Sequence, residues 1–200
     1  SIGEILWALF VGLRFDLSIL FMLSPLFILG NAFPLPFRSS KLFQRIINIP
    51  TIIALIIAVS LNLSDAIYYR FTLKRMTFDI FSYLSSMETF WEVAPQFLVD
   101  FWYAFIIAII LIMVLIYSFI RKRNKIDRRS WTIRTFVSQP LIFIISAGII
   151  IIGIRGGFQL KPINIVDASL HAPARLSPIV LNTPFTIIKS VGQTGLELKD

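Results

Sequence analysis

The chain has 200 residues, of which 56% are hydrophobic and only 15% are charged, and its mean hydropathy is +0.81. Because a globular chain usually carries about a quarter charged residues, this composition excludes an ordinary soluble domain. Four stretches contain no charged residue, and each has the roughly 20 residues that a helix needs to cross a bilayer. They cover residues 17–37, 46–64, 101–120 and 135–154. The sequence therefore predicts an all-α, polytopic transmembrane helix bundle with four spans.

The net charge of +8 comes from two short segments between spans. Residues 38–45 and 121–134 together hold ten basic residues and a single acidic one, Asp127. Basic residues concentrate in the cytoplasmic loops of membrane proteins. This pattern predicts that both segments are cytoplasmic and that both ends of the chain are extracytoplasmic. The charge needs no nucleic-acid partner to explain it, and we expect none.

The first span is predicted as one helix over about residues 5–30, because apolar residues begin well before Leu17. Arg14 and Asp16 lie in its outer half. Two positions apart, they point in different directions around a helix and are not natural partners of each other. Since charge in lipid is costly, each must face another helix, water or headgroups. Two roles are open for Arg14 and Asp16. Either they line a headgroup-binding or helix-docking surface, or they lie at the membrane interface and orient the helix there.

The second span, 46–64, leads into a predicted external interfacial segment, 65–100. Asn62 and Asp65 share a helix face if the helix continues. Arg70, Lys74 and Arg75 form a basic cluster on the predicted outer side of the membrane. The enrichment of basic residues in cytoplasmic loops therefore does not explain this cluster. Such a cluster binds lipid phosphate, for which Arg offers a bidentate contact. Alternatively, Arg70 and Arg75 pair with Asp65, Asp79 or Asp16 as structural bridges.

Aromatic residues recur through the rest of this external segment, among them Phe78, Phe81 and Tyr83. Their spacing predicts one or two amphipathic helices on the outer membrane surface.

The third and fourth spans are predicted over residues 101–120 and 135–154. Gly156, Gly157 and Pro162 end the helix of the fourth span. Residues 156–200 are predicted as an extracytoplasmic linker, extended at first, with a short helix opening near Thr183–Pro184.

The chain has few residues with catalytic or metal-binding chemistry. It contains no cysteine, which excludes disulfides, thiolate metal sites and cysteine nucleophiles. Its one histidine, His171, lies in a Pro-rich segment and is interpreted as a loop residue. We therefore expect no catalytic residue, no metal ligand and no cofactor in this chain.

Three groups of residues together carry a family resemblance. They are Gly12-Leu13-Arg14-Phe15-Asp16-Leu17-Ser18; Asn62-x-x-Asp65-x-x-Tyr68-Tyr69 followed by Arg75; and Arg155-Gly-Gly-Phe158-Gln-Leu-Lys161-Pro162 with Leu181-Asn182-Thr183-Pro184-Phe185. In order and spacing they resemble the membrane domain of the lipoteichoic acid synthase-like sulfatases, membrane-anchored members of the alkaline phosphatase superfamily. The similarity is to the Bacteroidetes branch and covers essentially the whole chain.

The resemblance implies an enzyme that transfers or hydrolyses a phosphate or sulfate ester, such as a phosphoglycerol or phosphoethanolamine transferase, at the bacterial inner membrane. Members of this family resemble one another in having five spans and then a large external domain. That domain carries a threonine, or modified Ser or Cys, nucleophile on a divalent metal (Mn, Mg, Zn or Ca). We expect this chain to be a piece of such a protein, preceded by a further span. Its expected partners are membrane lipids and its own downstream catalytic domain.

If the membrane domain binds substrate, the candidates are the polar residues near the outer interface. They are Arg14, Asp16, Asn62, Asp65, Arg70, Arg75 and Arg155. Two alternatives stay open: a transporter or channel fragment with Arg14 and Asp16 in its pathway, and a pure anchor and docking module. Against a transporter, the second to fourth spans have almost no polar residue at mid-depth and no inverted repeat is evident.

Overall fold

The computed structural model describes residues 1–34, 36–81, 95–96, 98–123 and 133–191, and regular secondary structure in these residues is helical throughout. The α-helices are α1 (Ile2–Leu23), α2 (Pro25–Ala32), α3 (Lys41–Thr72), α4 (Trp102–Arg123), α5 (Ile133–Arg155), α6 (Ile165–His171), α7 (Ser177–Val180) and α8 (Thr183–Ser190). Two 3-10 helices cover Pro36–Ser39 and Ala174–Leu176.

Four of these helices are long and apolar enough to cross a membrane. The candidate spans are Ile2–Leu23, Lys41–Thr72, Trp102–Arg121 and Ser138–Arg155. Large apolar side chains are exposed along them, as in Ile109 of α4 and Ile144 of α5. A membrane helix turns such side chains to lipid, which replaces water as their surroundings. The prediction of an all-α transmembrane bundle with four spans is confirmed.

The first span differs from the single helix predicted over residues 5–30. The helix ends at Leu23, and α2 begins at Pro25. Ser24 between them has φ −120° and ψ 21°, outside the helical region. Pro25 lacks an N–H and its ring disfavours helical geometry in the preceding residue. The prediction of one unbroken helix is wrong, because a local steric effect interrupts an otherwise continuous apolar run.

The second span is longer than predicted. α3 has 32 residues and continues to Thr72, although Pro50 removes one donor from its interior. At 1.5 Å per residue it is about 48 Å long, more than the hydrocarbon core requires. Residues 65–72, predicted as part of an external segment, are therefore the last turns of this helix. The amphipathic helices predicted over 76–100 fall mostly on residues 82–94 and 97, which lie outside the described residues.

The segment after the fourth span is helical rather than extended. Asn164 and Asp167 form a capping box that starts α6, and the Asn182 side chain caps α8 by accepting a hydrogen bond from the Phe185 N–H at 3.0 Å. Side chains of this kind satisfy backbone donors that a helix start leaves free. The predicted helix opening near Thr183–Pro184 is confirmed as α8, whereas the prediction of extended backbone before it is wrong.

The described chain divides into two compact units. Unit 1 comprises Ser1–Asp16, Ala58–Leu111 and Ile163–Asp200, and unit 2 comprises Leu17–Ile57 and Ile112–Pro162. In unit 2, α2 packs against α5. Two glycines there permit close contact: a Cβ on Gly153 would lie 2.1 Å from the Phe21 ring, and one on Gly30 would lie 2.7 Å from Ile47. The Ser18 hydroxyl donates to the Ile154 carbonyl at 2.8 Å. Small residues at such positions let membrane helices approach closely.

Candidate functional site

Six of the seven residues predicted as candidates lie in unit 1, and four of these bond to neighbouring segments in one connected arrangement. Asp16 belongs to α1, Asn62 and Asp65 belong to α3, and Arg75 follows the end of α3. All four bond, directly or through one another, to the segment from α7 to α8. We call this arrangement the polar cluster; its members are Asp16, Asn62, Asp65, Arg75, Asn182 and Thr183.

Asp65 and Arg75 form the ion pair of the polar cluster. An Asp65 carboxylate oxygen accepts from the Arg75 guanidinium at 2.5 Å, and its second oxygen accepts from the Met76 N–H at 2.6 Å. Asp65 has no exposed surface, and the Arg75 side chain is 25% exposed. A buried carboxylate is tolerated when it is paired and hydrogen-bonded in this way. Of the two roles predicted for Arg75, the structure shows the bridge to Asp65.

A tight turn at the end of α3 brings these two residues together. The Leu73 N–H donates to the Tyr69 carbonyl at 2.9 Å, and Leu73 itself has φ 55°. This left-handed conformation is uncommon for a residue with a side chain as large as leucine. The chain then reverses, so Arg75 lies beside a residue ten positions earlier. The Asp65–Arg75 contact thus depends on a turn in which leucine, and not glycine, occupies the left-handed position.

Arg75 also binds the C-terminal part of the described chain. Its Nε and one Nη donate to the Pro178 carbonyl at 2.9 and 2.5 Å, and its other Nη donates to the Thr183 hydroxyl at 3.3 Å. A guanidinium has five N–H donors in a fixed plane and can serve several acceptors at once. Arg75 therefore joins the end of α3 to both α7 and α8.

Side chains from two spans hold the start of α8. The Asn62 side-chain oxygen accepts from the Thr183 N–H at 3.2 Å. Asp16 accepts from the Asn182 side-chain amide at 2.7 Å, while the oxygen of that same amide caps α8. The N-terminus of α8 is thus bound to α1 through Asp16 and to α3 through Asn62.

The buried face of α8 carries three hydroxyl groups. Thr183, Thr186 and Ser190 are buried and spaced to lie along one side of the helix. The Thr186 hydroxyl donates to the Met76 carbonyl at 2.7 Å, and the Ser190 hydroxyl accepts from the Phe78 N–H at 2.8 Å. Because these partners follow Arg75 directly, residues 75–78 are bound along the length of α8.

Apolar and charged contacts extend this docking along α1. The rings of Phe15 and Phe185 pack edge to face with centroids 5.2 Å apart. Gly12 is buried against α7, where an added Cβ would lie 3.2 Å from the Val180 carbonyl oxygen.

Nearer the start of α1, the Trp7 indole donates to the His171 carbonyl at 2.8 Å. Glu4 forms an ion pair with Arg175. The segment 171–185 therefore covers one side of α1 from residue 4 to residue 16.

Three candidates, Arg14, Arg70 and Arg155, are not among the members of the polar cluster defined above. Arg14 is half-buried on α1, and Arg70 is exposed in the last turn of α3. Arg155 belongs to unit 2, where its guanidinium donates to the Gln159 carbonyl at 2.8 Å and to the Leu160 carbonyl. His171 is not one of the seven candidates; the sequence indicates a loop residue, but His171 is the last residue of α6, and its ring Nδ1 lies 2.8 Å from the Asp167 carbonyl oxygen. The polar cluster therefore contains four of the seven candidates, Asp16, Asn62, Asp65 and Arg75.

Sequence reasoning missed the contribution of α8. Asn182, Thr183, Thr186 and Ser190 make many of the contacts, yet none was a candidate. A signal was present, since an Asn before Thr–Pro is typical of a helix start, and hydroxyls three or four positions apart share a helix face. Within the part of the chain that the structure describes, no group of three His, Cys, Asp or Glu residues is placed to hold a metal ion.

The helices and the polar cluster define the protein as a polytopic α-helical membrane protein whose C-terminal helices dock on its first and second spans. Comparisons with protein-family models, curated proteins and solved structures found no match for this chain.

Proposed function

We propose that this chain is the membrane-anchoring domain of a lipoteichoic acid synthase-like enzyme of the alkaline phosphatase superfamily. In this proposal it lies in a bacterial inner membrane with both ends outside the cytoplasm. It holds the segment that leads to the catalytic domain in a fixed position and presents a lipid-linked substrate to that domain. The observation that carries the proposal is the docking of α7 and α8 on α1 and α3 through the polar cluster.

The chemistry of this docking supports a fixed position rather than a loose tether. A flexible linker would be polar and solvated, whereas α8 is buried over most of its length. Its N-cap residue, Asn182, is in turn hydrogen-bonded to Asp16 of α1. The Arg75 guanidinium, paired with Asp65, also donates to the Pro178 carbonyl and to the Thr183 hydroxyl, so undocking α7 and α8 would remove these acceptors from a partly buried charged group. A domain held at constant height above the membrane meets lipid-linked substrate in a constant geometry, which lowers the entropic cost of reaction.

The reaction itself belongs to the proposed catalytic domain. In that domain, a bound divalent ion (Mn, Mg, Zn or Ca) would activate an oxygen nucleophile and neutralise charge on the transferred phosphate or sulfate group, whose bond to the leaving oxygen would break as the bond to the nucleophile forms. Within this chain, Arg70 is the best candidate for contacting a lipid phosphate. It is exposed at the end of a spanning helix, where a guanidinium can meet a headgroup.

A pure anchor and docking module, with no role in substrate binding, is the second candidate function. It is favoured by a specific observation: Asp16, Asn62, Asp65 and Arg75 all bond to groups of this chain itself. Side chains committed to such contacts hold the fold together and leave less capacity for a ligand. The two candidates differ in what they predict for Arg70.

The experiment starts from the complete reading frame that contains this chain. We expect it to encode several hundred further residues with a Thr or Ser nucleophile and Asp and His metal ligands. The purified protein, in vesicles with Mn²⁺, should transfer or hydrolyse a lipid-linked phosphate or sulfate ester and lose this activity with EDTA. A frame that encodes only further spans, or a protein inactive on both ester classes, would contradict the proposal and favour a transporter.

Arg70→Gln then separates the two candidate functions. Substrate presentation predicts a several-fold higher KM for the lipid-linked ester. The matched control is Lys41→Gln, which neutralises an exposed cation at the opposite end of α3 and should behave as the wild type. If Arg70→Gln has the same KM as Lys41→Gln, the pure anchor is correct.

A further inference from the structure

The loop that follows α5 exposes two large apolar side chains. Phe158 is 91% exposed and Leu160 is 95% exposed. Both are followed by the exposed cation Lys161. Exposed apolar groups of this size, concentrated in one loop, usually mark a contact surface for a protein or a membrane.

The backbone of this loop is shaped by a defined helix end. The Gly156 N–H donates to the Gly153 carbonyl at 2.9 Å, and the Gly157 N–H donates to the Ile152 carbonyl at 3.0 Å. These two bonds form a Schellman motif. Gly156 has φ 72° and Gly157 has φ 138°, conformations that residues with a Cβ rarely adopt. The chain therefore leaves α5 in a fixed direction.

Arg155 holds the loop from within. Its guanidinium donates to the carbonyls of Gln159 and Leu160, and the Gln159 side-chain amide donates back to the Arg155 carbonyl at 3.1 Å. These contacts fix the backbone between Phe158 and Leu160. Arg155, a candidate headgroup ligand from the sequence, thus has its guanidinium bound to two carbonyls of this loop.

We propose that the loop 156–161 inserts into the bilayer interface. Phe158 and Leu160 contact the acyl chains just beneath the headgroups, and Lys161 contacts the lipid phosphates. The loop acts as an anchor that fixes the depth of α5. The proposal depends only on the protein being a membrane protein, so it is independent of the proposed enzyme and of which side of the membrane the loop faces.

Continuity with the span identifies lipid as the partner. α5 crosses the membrane with the apolar stretch that ends at Arg155. Phe158 is three residues further on, and three residues reach at most about 10 Å. The headgroup region on each side of the hydrocarbon core is about 5–8 Å thick. Phe158 and Leu160 are therefore within reach of the interface, where burial of apolar side chains is favourable and a Lys side chain extends to the phosphates.

The absence of cysteine from the sequence makes a direct test possible. Phe158→Cys and Leu160→Cys variants of the full chain are labelled with a nitroxide and reconstituted in vesicles of phosphatidylcholine and phosphatidylglycerol. Power saturation then compares accessibility to oxygen, which concentrates in lipid, with accessibility to a water-soluble nickel chelate. Ile144→Cys, on an exposed mid-span position of α5, is the lipid reference, and Ser40→Cys, in an exposed turn, is the water reference.

We expect the oxygen-to-nickel ratio at positions 158 and 160 to be several-fold higher than at Ser40 and lower than at Ile144. A ratio equal to that of Ser40 places the loop in water and overturns the proposal. Low accessibility to both reagents, with an immobilised spectrum, shows a protein partner such as a second copy and overturns it too.

Because a nitroxide is itself apolar, a second measurement keeps the native side chains in place. A label on Lys161→Cys reports the depth of the loop with and without Phe158→Ser and Leu160→Ser. Removing the two apolar groups should raise nickel accessibility at position 161 several-fold; an unchanged value would contradict insertion.

The positioning role of Arg155 has its own readout. In the Phe158→Cys protein, Arg155→Ala should narrow the nitroxide spectrum, because the loop loses two hydrogen bonds and becomes more mobile. Arg121→Ala removes an exposed cation from the end of α4 and is the matched control. A spectrum identical in the two variants would remove Arg155 from the proposal.

Discussion

Asp16 and Asn182 lie 166 positions apart in the sequence and are joined by a hydrogen bond of 2.7 Å. Through this contact, the first span holds the residue that caps α8. Asn182 uses both ends of its amide: the nitrogen donates to Asp16, and the oxygen accepts from the Phe185 N–H. One side chain thus starts a helix and attaches it to the membrane bundle.

Two substitutions of Asn182 separate these functions. Asn182→Ala loses the cap and the bond to Asp16, whereas Asn182→Ser retains a capping oxygen and loses only the bond to Asp16. A lost cap costs about 1 kcal/mol, and a lost hydrogen bond to a charged group costs about 1.5–3 kcal/mol. Hydrogen exchange of the α8 amides in detergent should therefore be fastest in the Ala variant and intermediate in the Ser variant. Equal protection in all three proteins would show that α8 does not depend on Asn182.

The Arg75–Asp65 pair gives a prediction for global stability. Asp65 is fully buried, so Arg75→Gln leaves its charge without a countercharge and should lower the free energy of unfolding by about 3 kcal/mol. Unfolding in increasing SDS, followed by circular dichroism, measures the change. The control, Arg70→Gln, removes an exposed cation from the same helix end and should change stability by less than about 0.5 kcal/mol.

A double variant checks that the effect belongs to the pair. Asp65→Asn combined with Arg75→Gln removes both charges and should be less destabilised than the sum of the two single variants. Additive losses would mean that Arg75 acts through the Pro178 carbonyl and not through Asp65.

The spans could be predicted from the sequence because the property that defines them is local. A run of 20 residues without charge, such as 101–120, carries its own signal for lipid. The break before Pro25 was also encoded locally, but the apolar run around it hid the steric signal. Asn62 and Asp65 could be placed on one helix face from their spacing alone.

The polar cluster could not be predicted in the same way. The Asp65–Arg75 contact requires the chain reversal at Leu73. Leu73 has a left-handed backbone conformation, although glycine usually occupies such a position. The Asp16–Asn182 contact joins residues at opposite ends of the chain, and it exists only once α1 and α8 have packed through Phe15 and Phe185. Sequence spacing within one helix gives no information about such partners.

The proposed topology can be tested by labelling introduced cysteines, because the chain has no native cysteine. Ser40→Cys lies in the first basic segment, and Ser169→Cys lies beyond the fourth span and outside the loop 156–161; both positions are exposed. Because basic loops stay in the cytoplasm, a membrane-impermeant maleimide added to intact cells should label position 169 and not position 40. Permeabilised cells should label both. Labelling of position 40 alone in intact cells would invert the topology and contradict the proposed function.

Two glycines of α5 give a matched pair for the packing of unit 2. A Cβ on Gly148 would meet nothing within 4 Å, whereas one on Gly153 would lie 2.1 Å from the Phe21 ring. Gly148→Ala should therefore raise stability by about 0.5–1 kcal/mol, as expected for Gly to Ala within a helix. Gly153→Ala should lower it by about 1–3 kcal/mol through overpacking.

The same steric contact predicts a compensating substitution. Phe21→Leu shortens the ring that blocks the Cβ at position 153, so Gly153→Ala with Phe21→Leu should be more stable than Gly153→Ala alone. SDS unfolding of the four proteins measures the coupling, which for residues in contact is about 0.5–3 kcal/mol. If Gly153→Ala is as stable as Gly148→Ala, the Phe21 ring is not tightly packed against Gly153.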